Sequence, residues 1–564
     1  MELHKKKQLR RTALFIILIC VFTAGGFWFR ANPLFTEEGG SWKKRITQPD
    51  KPYESEEAVF AAEAPAEPGR EPAAAMERFY TIERASVFTF SGLGNAEELR
   101  CVLEALERTG SRATFFVTAE ETERFPDQIE AICQAGQELG IGVLPTESDS
   151  ADALLQVMLE QAETLRGRYG ADYELFVRPA YSAGSAALLQ AAADGGFRVL
   201  TQMKEAVPEE ASRVTDAEEV IPVVFRENEG KLQRGEIVHF QMGLFQHSDT
   251  VLGELVERIV AEKCIYPIRS ANELAENTAM QYVYPLPEDQ ILPSVKDKIY
   301  PGHLDGKTPE EIFEVIRGGY IGNYWVKPPQ YFPGFSVQDA KQLDRNGLIE
   351  NTENYVFLTF DDWGTDETVE KLLTVLGKHN ATGTFFVRSQ YVPFNPNLLR
   401  AIAAEGHTIA AHTHSHMPLS TETSPGTFVE LTEEEQAALE EDLVRCYDTL
   451  QSIVGDMTDA DGKPSLSLLF RPPTLAVGRS GLEAVFDCGY THAIAGYYST
   501  GDYAVKNAKA LAYAIKQNLR SGSVLVMHFS DNSIYTAEAL DQVLTQLENK
   551  GSKFQFVGLN KVLG

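Results

Sequence analysis

Cysteine is scarce: six residues in 564, scattered along the chain and with no pair at C-x-x-C spacing. That excludes a disulfide-built scaffold and a cysteine zinc or dithiol redox site. Cys20 falls in an apolar run, and Cys101, Cys133, Cys264, Cys446 and Cys488 read as small buried hydrophobes. Basic residues are also in short supply, with 51 Lys and Arg against 81 Asp and Glu and a net charge of −30. This balance excludes a protein that binds nucleic acid by neutralising phosphates. Charged residues make up 23% and hydrophobic residues 43%, the mixture of folded protein rather than of disorder. At about 150 residues per domain, the length requires three or four domains, or two large ones with appendages.

Long apolar runs are almost absent. The single one, residues 12–29, follows Lys5, Lys6, Lys7, Arg10 and Arg11 and has Trp28 near its end with Arg30 beyond. At a rise of about 1.5 Å per residue it covers roughly 27 Å, enough to cross the hydrocarbon layer. The pattern predicts a cytoplasmic basic segment (1–11), a single transmembrane anchor (12–29) and an extracytoplasmic remainder. A cleaved secretory signal fits less well, because no small-x-small site is well formed and Cys20 lacks the small residue that lipoprotein processing requires. Residues 30–79, with the stretch AAEAPAEPGREPAAA, have no periodic apolar face and read as a disordered stalk.

Beyond the stalk, short apolar runs alternate with amphipathic stretches: VFTF, EELRCVLEALERTG, ATFFV, DQIEAICQAG. This is the pattern of a parallel α/β sheet. The later half repeats it. Thr89-Phe90 recurs as Thr359-Phe360, Thr114 to Val117 as Thr384 to Val387, and Gly136 as Gly406, all at an offset of 270. Arg178-Pro179, two residues after Phe176, matches Arg471-Pro472 after Phe470, and Gly196-Phe197 matches Gly489-Tyr490, both at an offset of 293; His239 matches His528 at 289. The chain therefore reads as two copies of one unit, residues 80–275 and 351–564, joined by a connector, 276–350. In the connector, Thr308-Pro309 with Glu311 opens one helix, and Ser336 to Arg345, stopped by Asn346-Gly347, forms another. Its aromatic run GGYIGNYWVKPPQYFPGF suits either packing between domains or stacking on sugars.

The second copy opens with a strand, Tyr355 to Phe360, followed by Asp361, Asp362, Trp363 and Gly364. Reactive groups collect at strand ends in parallel α/β folds, and two adjacent carboxylates there call for a cation or a proton. Helix capping by one Asp is the alternative. Fifty residues on, AHTHSH follows an apolar TIAA segment. His412 and His416 can converge on one ion, and with a distant Asp they supply the three protein ligands of an open metal site. His407 and His414 read as surface or outer residues. Arg471 ends another strand before Pro472-Pro473, the run Ser523 to Met527 delivers His528 to the same face, and Asp502-Tyr503 lies between them.

The ordered set TFDD, HTHSH, RPP, GDY and VMH resembles the polysaccharide deacetylases, the NodB-homology domains of carbohydrate esterase family four, over about 200 residues at the C-terminal end and, in degraded form, over the earlier copy. The resemblance implies two tandem distorted barrels of about seven strand–helix units and a divalent metal, most often zinc. Asp362, His412 and His416 would hold it, with Asp361 as general base and Arg471 orienting that base. His528 would protonate the departing sugar amine, with Asp502 keeping its imidazole charged. Thr474 stands where the family has an aromatic residue whose backbone N–H holds the oxyanion, and Tyr503 where it has Trp, so the acetyl pocket differs from the family pattern. In the first copy Asp361 and Asp362 become Ser91 and Gly92, and His412 and His416 become Gly142 and Thr146. This copy should be catalytically silent, as a rigid scaffold or a glycan-binding module.

The resulting expectation is a membrane-anchored, metal-dependent enzyme that removes N-acetyl groups from a glycan, with peptidoglycan N-acetylglucosamine the substrate its location implies. Alternatives are an O-acetyl esterase acting on a xylan-type glycan, a non-haem iron oxygenase built on the same two-His, one-carboxylate triad, and a non-catalytic wall-binding protein.

Overall fold

The computed structural model describes residues 72–563 apart from 145–148, 181–183, 210, 226–229, 246–247, 276–281, 294–297, 324–331 and 344–345. The basic segment, the anchor and most of the stalk lie outside the described residues, as do Thr146 and part of the aromatic run. Among the described residues no helix is long and apolar enough to cross a membrane.

Each half of the chain builds a curled, parallel sheet. In the first half the strands are β1 (Ala75–Met76), β2 (Ser86–Ser91), β3 (Thr114–Val117), β4 (Glu138–Val143), β5 (Val177–Pro179), β6 (Val199–Leu200), β7 (Lys204–Glu205), β8 (Ile237–Gln241) and β9 (Ile268–Arg269). The second half has β10 (Tyr320–Gly322), β11 (Tyr355–Asp362), β12 (Thr384–Val387) and β13 (Thr408–Ala411). A hairpin of β14 (Thr421–Ser424) and β15 (Thr427–Val429) follows, then β16 (Leu466–Phe470), β17 (His492–Gly496), β18 (Tyr498–Ser499), β19 (Val524–His528) and β20 (Gln555–Phe556). The first sheet runs β1-β6-β5-β4-β3-β2-β8-β7 and the second β10-β17-β16-β13-β12-β11-β19-β18; β9 pairs β2 as β20 pairs β11. The repeat in sequence is thus a repeat of topology. Among the described residues each sheet has two free ends in this order, so each domain is a curled half-barrel rather than a closed ring.

Two boundaries differ from the sequence reading. The stalk ends before residue 72: β1 pairs with β6, and Phe79 is fully buried. The connector belongs to the second domain. Its β10 pairs with β17 just as β1 pairs with β6, and Leu286, Ile299, Ile316 and Tyr320 join the second domain's core. A strand of two or three residues is too short to show a period of 2, so neither edge strand leaves a pattern in the sequence. The connector helices form at Pro309–Gly319, with the reciprocal Thr308–Glu311 cap, and at Val337–Leu343.

Alternation along the strands sets the chemistry. Leu358 and Phe360 face the helices, whereas Phe357 joins Phe386, Ala410, Leu469, Ile494 and Val524 on the concave side. Carried to the strand ends with a period of 2, the concave positions become Thr359 and Asp361 on β11, His412 after β13, Arg471 after β16, and Val526 and His528 on β19. The two domains meet behind this face. Arg234, 2% exposed, places Nε 3.0 Å from Asp366 Oδ1 and Nη2 2.8 Å from Glu370 Oε2, while the Tyr266 hydroxyl donates to Asp366. Asp366 begins the helix Asp366–Lys378, only four residues after Asp362, so the first domain braces the segment that follows the carboxylate pair.

Candidate metal centre and its flanking residues

By alternation Asp362, next to Asp361, would point toward the helices. Its backbone is left-handed instead (φ 83°), and this turns the carboxylate back to the concave face. There Oδ1 lies 3.8 Å from His412 Nε2 and 3.6 Å from His416 Nε2. Left-handed backbone also occurs at Thr413 (φ 60°) and His416 (φ 69°), where it curls the HTHSH loop so that both rings face one point. Such conformations cost non-glycine residues about 1 kcal/mol or more each, and they cluster at functional sites. The loop is also tied from below. Asp442, on the helix Glu433–Val454, accepts hydrogen bonds from the backbone N–H groups of His414 and Ser415 and from the Ser415 hydroxyl.

The three side chains fit a divalent cation. Their ligand atoms lie within 4.8 Å of one another, and among the described residues they form the one group of three or more His, Cys, Asp or Glu that does so. His412 Nδ1 sits 2.8 Å from the carbonyl oxygen of Arg471, which fixes the proton on Nδ1 and leaves the Nε2 lone pair toward Asp362. Burial lowers the pKa of both imidazoles below the ordinary value, so both are neutral and able to ligate. One carboxylate and two imidazoles leave positions open, as catalytic sites do.

Two further pairs flank this trio. Asp361 is buried and accepts from Arg471 Nη1 at 2.7 Å. Arg471, with no exposed surface, is held by Thr359 Oγ1 at 2.7 Å, the Ile494 carbonyl at 2.9 Å and the face of Phe386 at 4.1 Å. Burial pushes the Asp361 carboxyl up to about 6 against the opposing pull of Arg471 and His528. On the neighbouring strand, in register with Asp361, is His528. Its Nδ1 is 2.7 Å from Asp502 Oδ1, and Asp502 Oδ2 accepts from the His528 backbone N–H and the Thr536 hydroxyl. Burial disfavours the imidazolium, but Asp502, helped by Asp361 and Asp362, outweighs it and raises His528 to about 9. The site thus joins a carboxylate near its titration point to an imidazole held protonated, the division of labour of a base and an acid.

The remaining candidates lie at the rim. Tyr503 is about half exposed and meets the His528 ring edge-on at 5.2 Å. Thr474 is exposed and left-handed (φ 58°), within a turn closed by the Leu475 N–H on the Pro472 carbonyl. His407 is not a surface residue. It is fully buried, its Nδ1 accepts from the Gly383 N–H, and burial lowers its pKa to about 3. His414 is partly buried against the Ser389 hydroxyl. Cys101, Cys446 and Cys488 are buried thiols, while Cys133 and Cys264 are only half-buried. Sequence reasoning missed Asp442 and Thr536. Asp442 sits among acidic residues of a solvent-facing helix, and Thr536 is an ordinary first-turn threonine, so neither carries a local signal.

The first domain has a different set at the same positions. Ser91 replaces Asp361 and Gly92 replaces Asp362. Pairing Ser91 with Gln241, as Asp361 pairs with His528, makes Gln241 and not His239 the partner of His528. His239 lies one concave position deeper, fully buried with Nδ1 3.0 Å from Thr89 Oγ1. The motif IVHFQ against VLVMH invites alignment on histidine, and only the register shows that the match is two residues off.

A family model described as polysaccharide deacetylase matches residues 83–200 and 349–493. The peptidoglycan-N-acetylmuramic acid deacetylase PdaA of Bacillus subtilis is 29% identical over 232 residues, covering 39% of this chain and 78% of that protein. A peptidoglycan-N-acetylglucosamine deacetylase of Bacillus cereus is 25% identical over 230 residues, 40% of this chain and 96% of that one. Among solved structures, a peptidoglycan N-acetylglucosamine deacetylase is similar at 25% identity and a TM-score of 0.32, covering 38% of this chain and 90% of the other. The family model falls on both halves of a duplicated topology, so the chain carries two tandem regions similar to polysaccharide deacetylases.

Proposed function

We propose that the C-terminal half-barrel is a metal-dependent deacetylase that cleaves the acetamide of a peptidoglycan amino sugar, N-acetylglucosamine in our reading, releasing acetate and a free amine. The observation that carries it is the convergence of Asp362, His412 and His416 beside an Asp361–Arg471 pair and a His528–Asp502 pair. The related deacetylases named above support the substrate class.

Asp362, His412 and His416 would hold a divalent cation, zinc by preference for two imidazoles and a carboxylate, which would supply positive charge to activate water and stabilise an oxyanion. The chain's own groups do the rest. Asp361, oriented by Arg471, accepts the proton of the attacking water. His528 holds a proton at Nε2, because Asp502 occupies Nδ1, and delivers it to the sugar nitrogen as the C–N bond breaks. Without that proton the leaving group would be an amide anion, inaccessible near neutral pH. Tyr503 forms a wall beside His528 where a sugar ring can rest. This base-and-acid pairing beside the trio is the set that amide hydrolysis requires.

We place the folded domains outside the membrane, tethered by residues 12–29. The support is the basic flank followed by an apolar run. Protease digestion of intact cells should remove the domains, and protection of both would overturn the placement. For the activity, the full chain is supplied with zinc and offered peptidoglycan, chitin oligomers and acetylated xylan, with acetate as the readout. Acetate from peptidoglycan, with the free amine on glucosamine after muramidase digestion, is the expected result. Amines on muramic acid alone would correct the sugar, and acetate from none of the three would overturn the proposal. Asp361→Asn should keep the metal and lose acetate release by about 10²–10³-fold.

A further inference from the structure

The N-terminal half-barrel has no acidic ligand pair, yet its concave face is not filled in. A cavity of about 460 Å³ opens at the ends of β5 to β8, lined among others by Arg178, Gln202, Glu205, His239 and Gln241. That volume is within the range of small-molecule sites. Arg178 stands where Arg471 stands in the other domain and is also buried, at 5% exposure. Its carboxylate partner is gone, since Ser91 replaces Asp361. Arg178 Nη2 donates to Gln202 Oε1 at 2.6 Å, but Nε and Nη1 are buried with no hydrogen-bond partner among the described residues. Glu205, on β7 and also on the lining, has a buried Oε1 that is likewise without a partner among the described residues. Burial lowers Arg178 to about 10 and raises Glu205 to about 7. Buried polar groups are ordinarily paired, because each unmade hydrogen bond costs about 1–3 kcal/mol.

The two kinds of vacant valence restrict what fits. A simple anion would satisfy Arg178 but meet Glu205, with Glu77 and Glu209 also on the lining. A cation would satisfy the carboxylates and meet Arg178. A neutral group that accepts from the guanidinium and donates to the carboxyl satisfies both, and hydroxyls and secondary amides do this. Val207 and Leu244 add apolar wall for a C–H face. We propose that this cavity is a second, non-catalytic saccharide site, which takes a neutral sugar unit through its hydroxyl or acetamido groups with Arg178 as donor and Glu205 as acceptor. It lies in the other domain and does not depend on the deacetylase reading.

The test uses the full chain carrying Asp362→Ala and His412→Ala, so that neither metal nor turnover contributes, titrated calorimetrically with N-acetylglucosamine and its tetramer. Binding is expected, weakened about tenfold to a hundredfold by Arg178→Met and by Glu205→Ala, the range for a lost charge-assisted hydrogen bond. Thermal melts identify any variant that fails to fold, and Gln202→Ala, which removes the residue orienting Arg178, then serves in its place. Saccharide binding equal in the parent and in these variants, no binding at millimolar sugar, or binding of acetate or phosphate but no sugar would each overturn the proposal. Because the background cannot turn over, failure here leaves the acetate experiment on the other domain untouched, and the reverse holds.

Discussion

Gly92 and Asp362 occupy the same place in two copies of one fold, at the end of the strand that pairs with β3 or β12. Both have left-handed backbone, with φ of 91° and 83°. In the first domain the residue is the one for which this conformation is nearly free. In the second it is an aspartate, held against its preference. A Cβ built on Gly92 would fall 2.3 Å from Gln241 Nε2, so the glutamine that replaces His528 also takes the space in which an Asp362 side chain would start. Shape is inherited in both copies. At this position the strain is present only in the copy that carries the candidate ligand carboxylate, which sets the second domain apart without reference to any relative.

The largest break in this comparison comes from the ligands. Asp362→Ala or His412→Ala should lower acetate release by about a thousandfold and abolish zinc retention in metal analysis of the purified chain. Ser91→Ala, at the matching place in the first domain, should change neither. Full zinc content in Asp362→Ala would remove that residue from the site.

Next in size is the brace between domains. Arg234→Met strands Asp366 and Glu370 as buried carboxylates, and loss of one partner of such a network costs about 3–5 kcal/mol. Denaturant melts should show one shared transition in the parent and two separate transitions in the variant. Coincident, unshifted transitions would show that the domains are joined by the chain alone.

The pH profile sharpens the contrast further, since Arg178 lacks the acid and base that surround Arg471. Acetate release should rise with pH through about 6 as Asp361 deprotonates and fall through about 9 as His528 loses its proton. A bound dication lowers both limbs together. Because the folded-state pKa of His528 lies above its unfolded value of about 6.5, the stabilisation by Asp502 is complete below that value and is lost as pH climbs through about 9. Asp502→Asn should therefore draw the alkaline limb toward neutrality and cost about tenfold or more in activity near pH ~8. An alkaline limb that stays in place would free His528 of its assigned role.

How much of this was legible in the sequence follows from the range of each signal. The duplication, the strand–helix alternation and the HTHSH and DD motifs are local patterns, and the residues in them meet in space as their spacing allows. The brace at Arg234, the tether at Asp442 and the shelf at Thr536 join residues far apart in sequence with no pattern at either end. The edge strands β1 and β10 are too short to show periodicity, which is why in sequence one reads as stalk and the other as connector. By identity His239 matches His528, whereas pairing register puts Gln241 there, since a two-residue shift keeps a side chain on the same face and is invisible to alternation.

The smallest expected effect is the most direct measure of the strain that separates the domains. Asp362→Gly removes the carboxylate and also relieves the left-handed backbone, so in metal-free protein it should stabilise the fold by about 1 kcal/mol, less the extra entropy that glycine gives the unfolded chain. The mirror change, Gly92→Ala, places a Cβ at φ 91° and against Gln241, and should cost about 1–2 kcal/mol, softened because the glutamine amide can rotate away. Urea midpoints of the metal-free variants give both values. Opposite signs at equivalent positions would show that the second domain keeps its aspartate at the expense of stability, for the ion alone; destabilisation by both changes would mean that Asp362 is comfortable where it stands and that its backbone is a property of the fold rather than of the site.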